Sequence, residues 1–392
     1  MMSFRNDKIN LMTWPNETLR LIGRIQEFKG KQDLFKQQLP EVLNALKDAA
    51  VIQSTESSNR LEGIIVETRR LTSIVQKKIQ PQTRSEAEVA GYRDVLATIH
   101  TSAPYMNLKP GVILQLHRDL MQYTGTGGRF NTELTRPKSP ASIGGGCQRA
   151  VKSSMDSTNI QWGLNPPLNE VSFKVNDNEI TEKLPDGTKR IRFVPVAAWR
   201  TPEAMDELMN NFLREHDRGA INEIILIATF ILDFLCIHPF EDGNGRMARL
   251  LTLLMLYQSG HEVGRYISLE KVVEETKDQY YETLQLSSLG WHQGEHNLLP
   301  WINFFLITLL RAYERFAERM GQSSGSLHGR GWKAQKVIGV VNHYVADFTI
   351  QDVQEGCPGV SRPTIQRILN QLGQEGIIGC VERGRNARWR KL

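Results

Sequence analysis

The sequence predicts a mainly α-helical chain with one β-hairpin and a C-terminal winged helix-turn-helix, and three observations carry that prediction. Apolar residues recur at helical spacing from residue 16 to about 123, as in Leu19, Ile22, Ile25 and Phe28, and again from 202 to about 320. Pro185-Asp186-Gly187 separates two strand-like runs, 172–180 and 189–196, and Asp-Gly in that setting signals a hairpin. Beyond residue 331, three short helical runs lead into a basic hairpin.

The 392 residues are enough for two or three domains, and 40% hydrophobic with 23% charged residues is a globular composition. The net charge of +5 is concentrated: residues 330–392 hold ten Lys/Arg against five Asp/Glu. A basic terminal module suggests an anionic partner, DNA included. The four cysteines, Cys147, Cys236, Cys357 and Cys380, form no CxxC pair and read as free thiols in a reducing compartment. The first residues lack an apolar signal core, and the longest apolar stretch, 224–237, is broken by Asp233 and too short to span a bilayer. The expectation is a cytoplasmic protein with no membrane partner.

From 124 to about 167 Gly, Ser, Thr and Pro dominate, with Gly144-Gly145-Gly146 and Pro166-Pro167, as in a long loop or insertion. Residues 321–326 (Gly-Gln-Ser-Ser-Gly-Ser) read as a flexible linker. In the C-terminal module, helices are expected at 332–348, 350–355 and 361–375, the last with Ser361 at its N-cap and Pro363 in its first turn. Strands at 377–381 and 387–390 flank a Gly384-Arg385-Asn386 turn, and Arg383, Arg385, Arg388 and Arg390 line this wing.

The chemistry is carried by His238-Pro239-Phe240-Glu241-Asp242-Gly243-Asn244-Gly245-Arg246-Met247-Ala248-Arg249. A buried apolar helix precedes this run and a second helix opens at Asn244-Gly245. Cations are unfavourable at a helix N-terminus, yet Arg246 and Arg249 stand in or just past the first turn, three apart on one face. A multiply charged anion between them would explain both. Gly243, Asn244 and Gly245 tolerate left-handed backbone, so their N–H groups can converge on a phosphate. Asp242 beside that nest is accommodated if a divalent cation bridges it to the anion. His238 supplies a base with a pKa near working pH. An EF-hand is excluded, because position six of such a loop would be Met247. Singly, each residue reads as an ordinary surface or turn residue; the fixed spacing is what points to displacement at phosphorus.

This run resembles the Fic family signature, HxFx(D/E)GNGRxxR, and matches it at every fixed position. Ser58-Asn59-Arg60-Leu61-Glu62-Gly63 resembles the family's inhibitory motif, (S/T)xxxE(G/N), and residues 278–284, Trp291 and Pro300-Trp301 resemble the helices after its active site. The similarity covers roughly 30–123 and 171–310. It implies an N-terminal helical region (1–85) and a helical core (86–320), the core holding the insertion (about 124–170) and a hairpin flap (about 172–196). A linker (321–331) and the winged helix (332–392) follow. It also implies AMP transfer from Mg-ATP to a Ser, Thr or Tyr hydroxyl of a target protein.

On these positions His238 would be the base, Phe240 the anchor of the loop and Asp242 the Mg²⁺ ligand. Gly243, Asn244, Gly245 and Arg246 would hold the α- and β-phosphates and Arg249 the γ-phosphate. Tyr280 and Tyr281 are candidates near the adenine, or core aromatics. Ser58 and Glu62 share a helix face that Gly63 ends, and the resemblance implies that Glu62 pairs with Arg249 and inhibits. Both Gly128-Arg129-Phe130 and Phe173-Lys174 resemble the segment expected before the flap; the second is preferred because the hairpin follows it directly. Transfer of UMP, phosphate or phosphocholine, AMP removal, and a nucleotide-sensing transcription regulator stay open as alternatives. The target protein and the oligomeric state, a homo-oligomer included, are left open.

Overall fold

The computed structural model describes residues 1–38, 40–124, 172–183, 188–326, 332–343, 347–357, 360–382, 384, 387–391. Most of the 124–167 loop, Gly128-Arg129-Phe130, the Pro185-Asp186-Gly187 turn, Cys147, Arg383 and Arg385 lie outside them. Two units result, Met1–Glu314 and Arg315–Leu392.

The first unit is helical. Its N-terminal helices are α1 (Lys8–Leu11), α2 (Asn16–Gln38), α3 (Pro40–Leu61), α4 (Thr68–Val75), α5 (Arg84–Ser102) and α6 (Pro110–Met121). After the hairpin β1 (Ile180–Lys183) and β2 (Lys189–Phe193) come α7 (Thr201–Arg218), α8 (Glu223–Ile237), α9 (Asn244–Gln258), α10 (Leu269–Glu275), α11 (Lys277–Ser288) and α12 (Leu299–Ser326). Helix α8 is buried almost all round, from Ile224 to Ile237, and is the axis on which the others pack. Asp233, the charge that interrupts its apolar run, is fully buried and accepts from the Ser3 hydroxyl at 2.6 Å and the Trp291 indole at 2.6 Å. Trp301 donates to the Ala228 carbonyl at 2.7 Å and ties α12 to the same helix. Helices α5 and α6 cross so closely that a Cβ on Gly91 would stand 1.9 Å from the Leu120 carbonyl oxygen, so only glycine fits there.

Three expectations change. Residues 172–179 do not join a strand, because their hydrogen bonds go to the loop after α8; the antiparallel ladder runs from Ile180↔Phe193 to Lys183↔Lys189. The linker expected at 321–326 is the end of α12, which runs through two glycines at a propensity cost of about 1 kcal/mol each. In the second unit, α13 (Trp332–His343) stops short of Phe348, which enters a strand instead.

That unit comprises α13, β3 (Phe348–Thr349), α14 (Ile350–Gly356), α15 (Arg362–Gln374), β4 (Ile378–Glu382) and β5 (Arg388–Lys391), with sheet order β3-β5-β4, all antiparallel. Phe348 pairs with Trp389, and the Thr349–Asp352 capping box starts α14, so helix cannot continue through 348 and 349. Val337, Val341, Val353, Ile365, Leu369 and Ile378 form its core. Cys236 and Cys357 are buried and Cys380 is exposed. Among the described residues no helix is long and apolar enough to cross a membrane.

Burial holds His100, His117, His238 and His296 down to about 4 and His261 to about 3. The unfolded chain binds these protons as pH falls through the ordinary value of 6.5, while the folded chain resists until about 4. Stability therefore falls on acidification across 6.5 to 4. Thermal unfolding scanned from pH 7.5 to 4 should show Tm dropping below pH 6.5; a flat Tm down to pH 5 would contradict the buried, neutral histidines.

Candidate active site

The site begins where α8 ends. His238 caps α8 in a left-handed conformation (φ 53°, ψ 62°), unusual for a residue with a side chain, while its N–H still reaches the Phe234 carbonyl at 2.9 Å. Its Nδ1 lies 3.3 Å from the Leu235 carbonyl. The tautomer assigned by that contact carries the proton on Nδ1 and leaves Nε2 as an acceptor. Burial, with Lys174 adding to it, holds the imidazole at about 4 against the Leu235 carbonyl, Glu62 and Asp242. At pH 7 it is neutral, which corrects the expectation of a pKa near working pH.

The following loop is pinned from two sides. Phe240 is buried, and its ring stacks on His117 with centroids 3.7 Å apart and planes within 1°. His117 Nε2 stands 2.9 Å from the Asp242 carbonyl. From the other side, Lys174 N–H donates to the Pro239 carbonyl at 2.8 Å and Lys174 Nζ to the Ile237 carbonyl at 3.2 Å. The Glu241 carboxylate accepts Val175 and Asn176 N–H groups at 3.1 Å each. Phe173-Lys174 thus does lie against the loop, as the sequence preference had it.

Asn244 accepts from Phe240 N–H at 2.9 Å and donates to the Phe240 carbonyl at 2.7 Å, so its side chain closes the loop. Gly243 is left-handed (φ 81°), while Asn244 and Gly245 are already helical and open α9. The first backbone bond of α9 runs from Met247 N–H to the Gly243 carbonyl. The N–H groups of Asn244, Gly245 and Arg246 therefore have no intrahelical acceptor and converge at the positive end of the helix.

The two arginines part company. Arg249 is buried, and its Nε donates to Ser58 Oγ at 2.8 Å, its Nη2 to the Ser58 carbonyl at 2.9 Å and to Glu62 Oε1 at 2.7 Å. Burial opposes its charge, but Glu62, Tyr280 and Tyr92 more than offset that and raise its pKa above the ordinary value. Arg246 instead forms an ion pair with Glu88 of α5 at 2.8 Å and lies 3.6 Å from Asp242. The two arginines, three apart on α9, thus have separate carboxylate partners, Glu88 on α5 and Glu62 at the end of α3.

Glu62 reaches Arg249 from the C-cap of α3. Gly63 N–H bonds the Arg60 carbonyl and Ile64 N–H the Asn59 carbonyl, both at 3.0 Å, with Gly63 at φ 78°. A Cβ on Gly245 would stand 2.2 Å from Glu62 Oε1, so the carboxylate rests directly over the first turn of α9. The helix dipole that disfavours it at the end of α3 is exchanged for one that favours it at the start of α9.

A cleft of about 820 Å³ opens here, lined by Glu62, His238, Gly245, Arg249, Tyr280 and Tyr281 among others. Asp242, Gly243, Asn244 and Arg246 lie outside its lining. Asp242 is half exposed, its Oδ1 accepting Gly243 N–H at 2.6 Å. Tyr280 is buried against Trp301 and Phe304, a core aromatic with one edge on the cleft, while the Tyr281 hydroxyl donates to the Leu61 carbonyl at 3.0 Å. Sequence reasoning missed His117 and Glu88; neither carries a local signal, since both act on partners more than 100 residues away.

Residues 107–256, from just before α6 through the flap to the end of α9's apolar run, match the Fic/DOC family. The chain carries a Fic domain. A protein adenylyltransferase fic-1 of Caenorhabditis briggsae is 28% identical over 138 residues, 35% of this chain and 24% of that protein. A Fido domain-containing protein of Dictyostelium discoideum is 30% identical over 98 residues, 24% of this chain and 64% of its own. The matched region spans about a quarter of the Caenorhabditis relatives. A crystal structure of a Fic family protein from Desulfovibrio desulfuricans G20 covers 97% of both chains with TM-score 0.54 at 18% identity. Residues 134–508 of Fic-1 from C. elegans superpose with TM-score 0.54 at 16% identity, over 78% of this chain and 73% of that one. The Fic fold accounts for the helices packed on α8 and for the hairpin beside the cleft.

The Arg246–Glu88 pair is buried on both sides (1% and 8% exposed side chains), so removing one partner strands a charge in the core. Glu88→Ala should lower unfolding free energy by about 3–5 kcal/mol, read by urea denaturation, and Glu88→Gln should cost less.

Proposed function

We propose that the chain is a protein adenylyltransferase that moves AMP from Mg-ATP to a Ser, Thr or Tyr hydroxyl of a target protein and is held in check by Glu62. One observation carries the reading. A tethered carboxylate sits on Arg249 and over Gly245, at the positive end of α9, where a nucleotide's terminal phosphate would otherwise be held. Arg249 Nη1, buried and 3.3 Å from the Cβ position of Gly245, has no hydrogen-bond partner among the described residues and can take an anion's oxygen. The printed names of the Caenorhabditis relatives support the choice of AMP transfer.

In the proposed reaction His238 Nε2 takes the proton of the target hydroxyl. The hydroxyl oxygen bonds to the α-phosphorus, the bond from that phosphorus to the bridging oxygen breaks, and pyrophosphate leaves. The free N–H groups of α9 receive the phosphates. Asp242 offers one half-exposed carboxylate held by Gly243 N–H, which fits Mg²⁺, an ion commonly bound by one or two carboxylates together with substrate phosphates. When bound it would neutralise phosphate charge. Arg246, already paired with Glu88, would act by fixing the loop. Tyr281 lines the cleft where the nucleoside would lie, and strand β2 beside it would grip the target backbone as an added strand.

The C-terminal unit is proposed as a winged helix. Exposed Arg362, Gln366 and Arg367 on α15 and Arg388 on β5 would face nucleic acid, although Arg390 is already taken by Asp347 through two hydrogen bonds. Gel shifts with full-length chain should show weak binding that fades steeply with salt; no shift at low salt would favour protein docking.

His238→Ala should reduce label transfer from [α-³²P]ATP by about 10²–10⁴-fold with nucleotide binding retained, and near-normal transfer would sink the assignment. Glu62→Gly should raise transfer and automodification, and adding Arg249→Ala should cancel the gain, because both changes act through one contact.

A further inference from the structure

We infer that Glu274 is a latch that keeps Glu62 on Arg249, a positioning role that rests on the adenylyltransferase reading of the site. The observation behind it is the polarity of the surface by which the inhibitory end of α3 is held. Ser54, Thr55, Ser57, Ser58 and Asn59 are each no more than 1% exposed. Thr55 Oγ1 and Asn59 Nδ2 donate within α3, to the Val51 and Thr55 carbonyls. The others cross to neighbouring elements.

Two carboxylates of α10 receive most of them. Ser54 Oγ donates to Glu270 Oε2 at 2.7 Å, Ser57 Oγ to Glu274 Oε2 at 2.8 Å, and Arg60 Nη1 to Glu274 Oε1 at 3.0 Å. Glu270 and Glu274 are four apart and share a face of α10. They are not equivalent. Glu270 is 1% exposed and also accepts the Tyr92 and Ser268 hydroxyls at 2.9 and 3.1 Å, so it belongs to the fixed core. Glu274 sits nearer the surface, and among the described residues beyond α3 it holds only Lys271, at 3.0 Å. It clasps Ser57, next to Ser58, and Arg60, two positions before Glu62.

A helix end buried through apolar contact releases only by exposing a greasy surface to water. One buried through serine hydroxyls and an arginine can exchange those partners for water and open locally. Charge-assisted hydrogen bonds to Glu274 are the outer part of that hold. Once they are gone, the last turn of α3 keeps Leu61 buried, Ser58 and Glu62 on Arg249 and Tyr281 on the Leu61 carbonyl, and an incoming phosphate competes directly with Glu62. Glu274 touches neither nucleotide nor base, so its influence on transfer runs through the occupancy of Arg249 by Glu62.

The test uses the full chain as Glu274→Ala, with Glu274→Gln and Ser57→Ala as variants that keep bulk or backbone, each checked by thermal unfolding. Amide hydrogen exchange of residues 54–64 should quicken in all three. Automodification with [α-³²P]ATP should rise about five- to tenfold in Glu274→Ala and should not rise further when Glu274→Ala is added to Glu62→Gly. Exchange of 54–64 at the wild-type rate in folded Glu274→Ala overturns the latch whatever the activity does. An equal gain in the Glu62→Gly background also overturns it, since the effect then bypasses Glu62. Faster exchange with no gain in Glu62→Gly itself supports the latch and overturns the inhibitory reading of the site.

Discussion

The buried charge of Arg249 must be met by an anion, and the surrounding elements answer that demand. A guanidinium taken out of water is costly unless it is paired and hydrogen-bonded. Helix α3 supplies the Ser58 hydroxyl and carbonyl and the Glu62 carboxylate, while α9 presents its own positive end beside them. Gly63 lets α3 stop where Glu62 can turn toward α9, and the bare Cα of Gly245 lets the carboxylate come close. A side chain at 245 would exclude the carboxylate and, in the proposed reaction, would crowd a phosphate oxygen as well.

Around that pair the loop after α8 has little freedom. The carbonyls of Ile237 and Pro239 are taken by Lys174, both polar groups of Phe240 by Asn244, and the Asp242 carbonyl by His117. The partners come from α6, from α9 and from the segment leading into the flap. A loop fixed in this way presents its N–H groups without reorganising when charge arrives, which is what electrostatic stabilisation of a transferring phosphoryl group requires. The left-handed His238 is tolerated because these contacts over-determine the chain on both sides of it.

Much of this was legible in the sequence, and what was not has a common cause. Helical periodicity located the helices, and the spacing from His238 to Arg249 located the loop and the second helix. The partnership of Glu62 with Arg249, 187 residues apart, was legible only through a motif shared with a family. Spacing alone could not show that Arg246 has a carboxylate partner of its own, which Glu88 supplies from a distant helix. Asn244 was read for its backbone, whereas its amide side chain closes the loop. Residues 172–179 look like a strand because Phe173 and Val175 are β-formers, but the N–H groups of Lys174 and Val175 are spent on Pro239 and Glu241. Each miss is a tertiary partner overriding a local preference.

The electrostatics of His238 link the base to the anion site. Burial and Lys174 push its pKa down, and Glu62 and Asp242 push it up, with the balance at about 4. An imidazole so placed is neutral at pH 7 and free to accept a proton, but a weak base for the purpose. Negative charge brought to the first turn of α9 shifts that balance upward, because it stabilises the imidazolium. Glu62 brings one such charge. In the proposed reaction a triphosphate brings several, and brings them closer to the loop. The base would then gain strength from the substrate whose transfer it serves. A site holding Glu62 instead of nucleotide would leave His238 too weak a base to activate stray hydroxyls or water. Glu62 is the group common to both, since its charge raises the pKa of the His238 imidazole and of the Arg249 guanidinium alike.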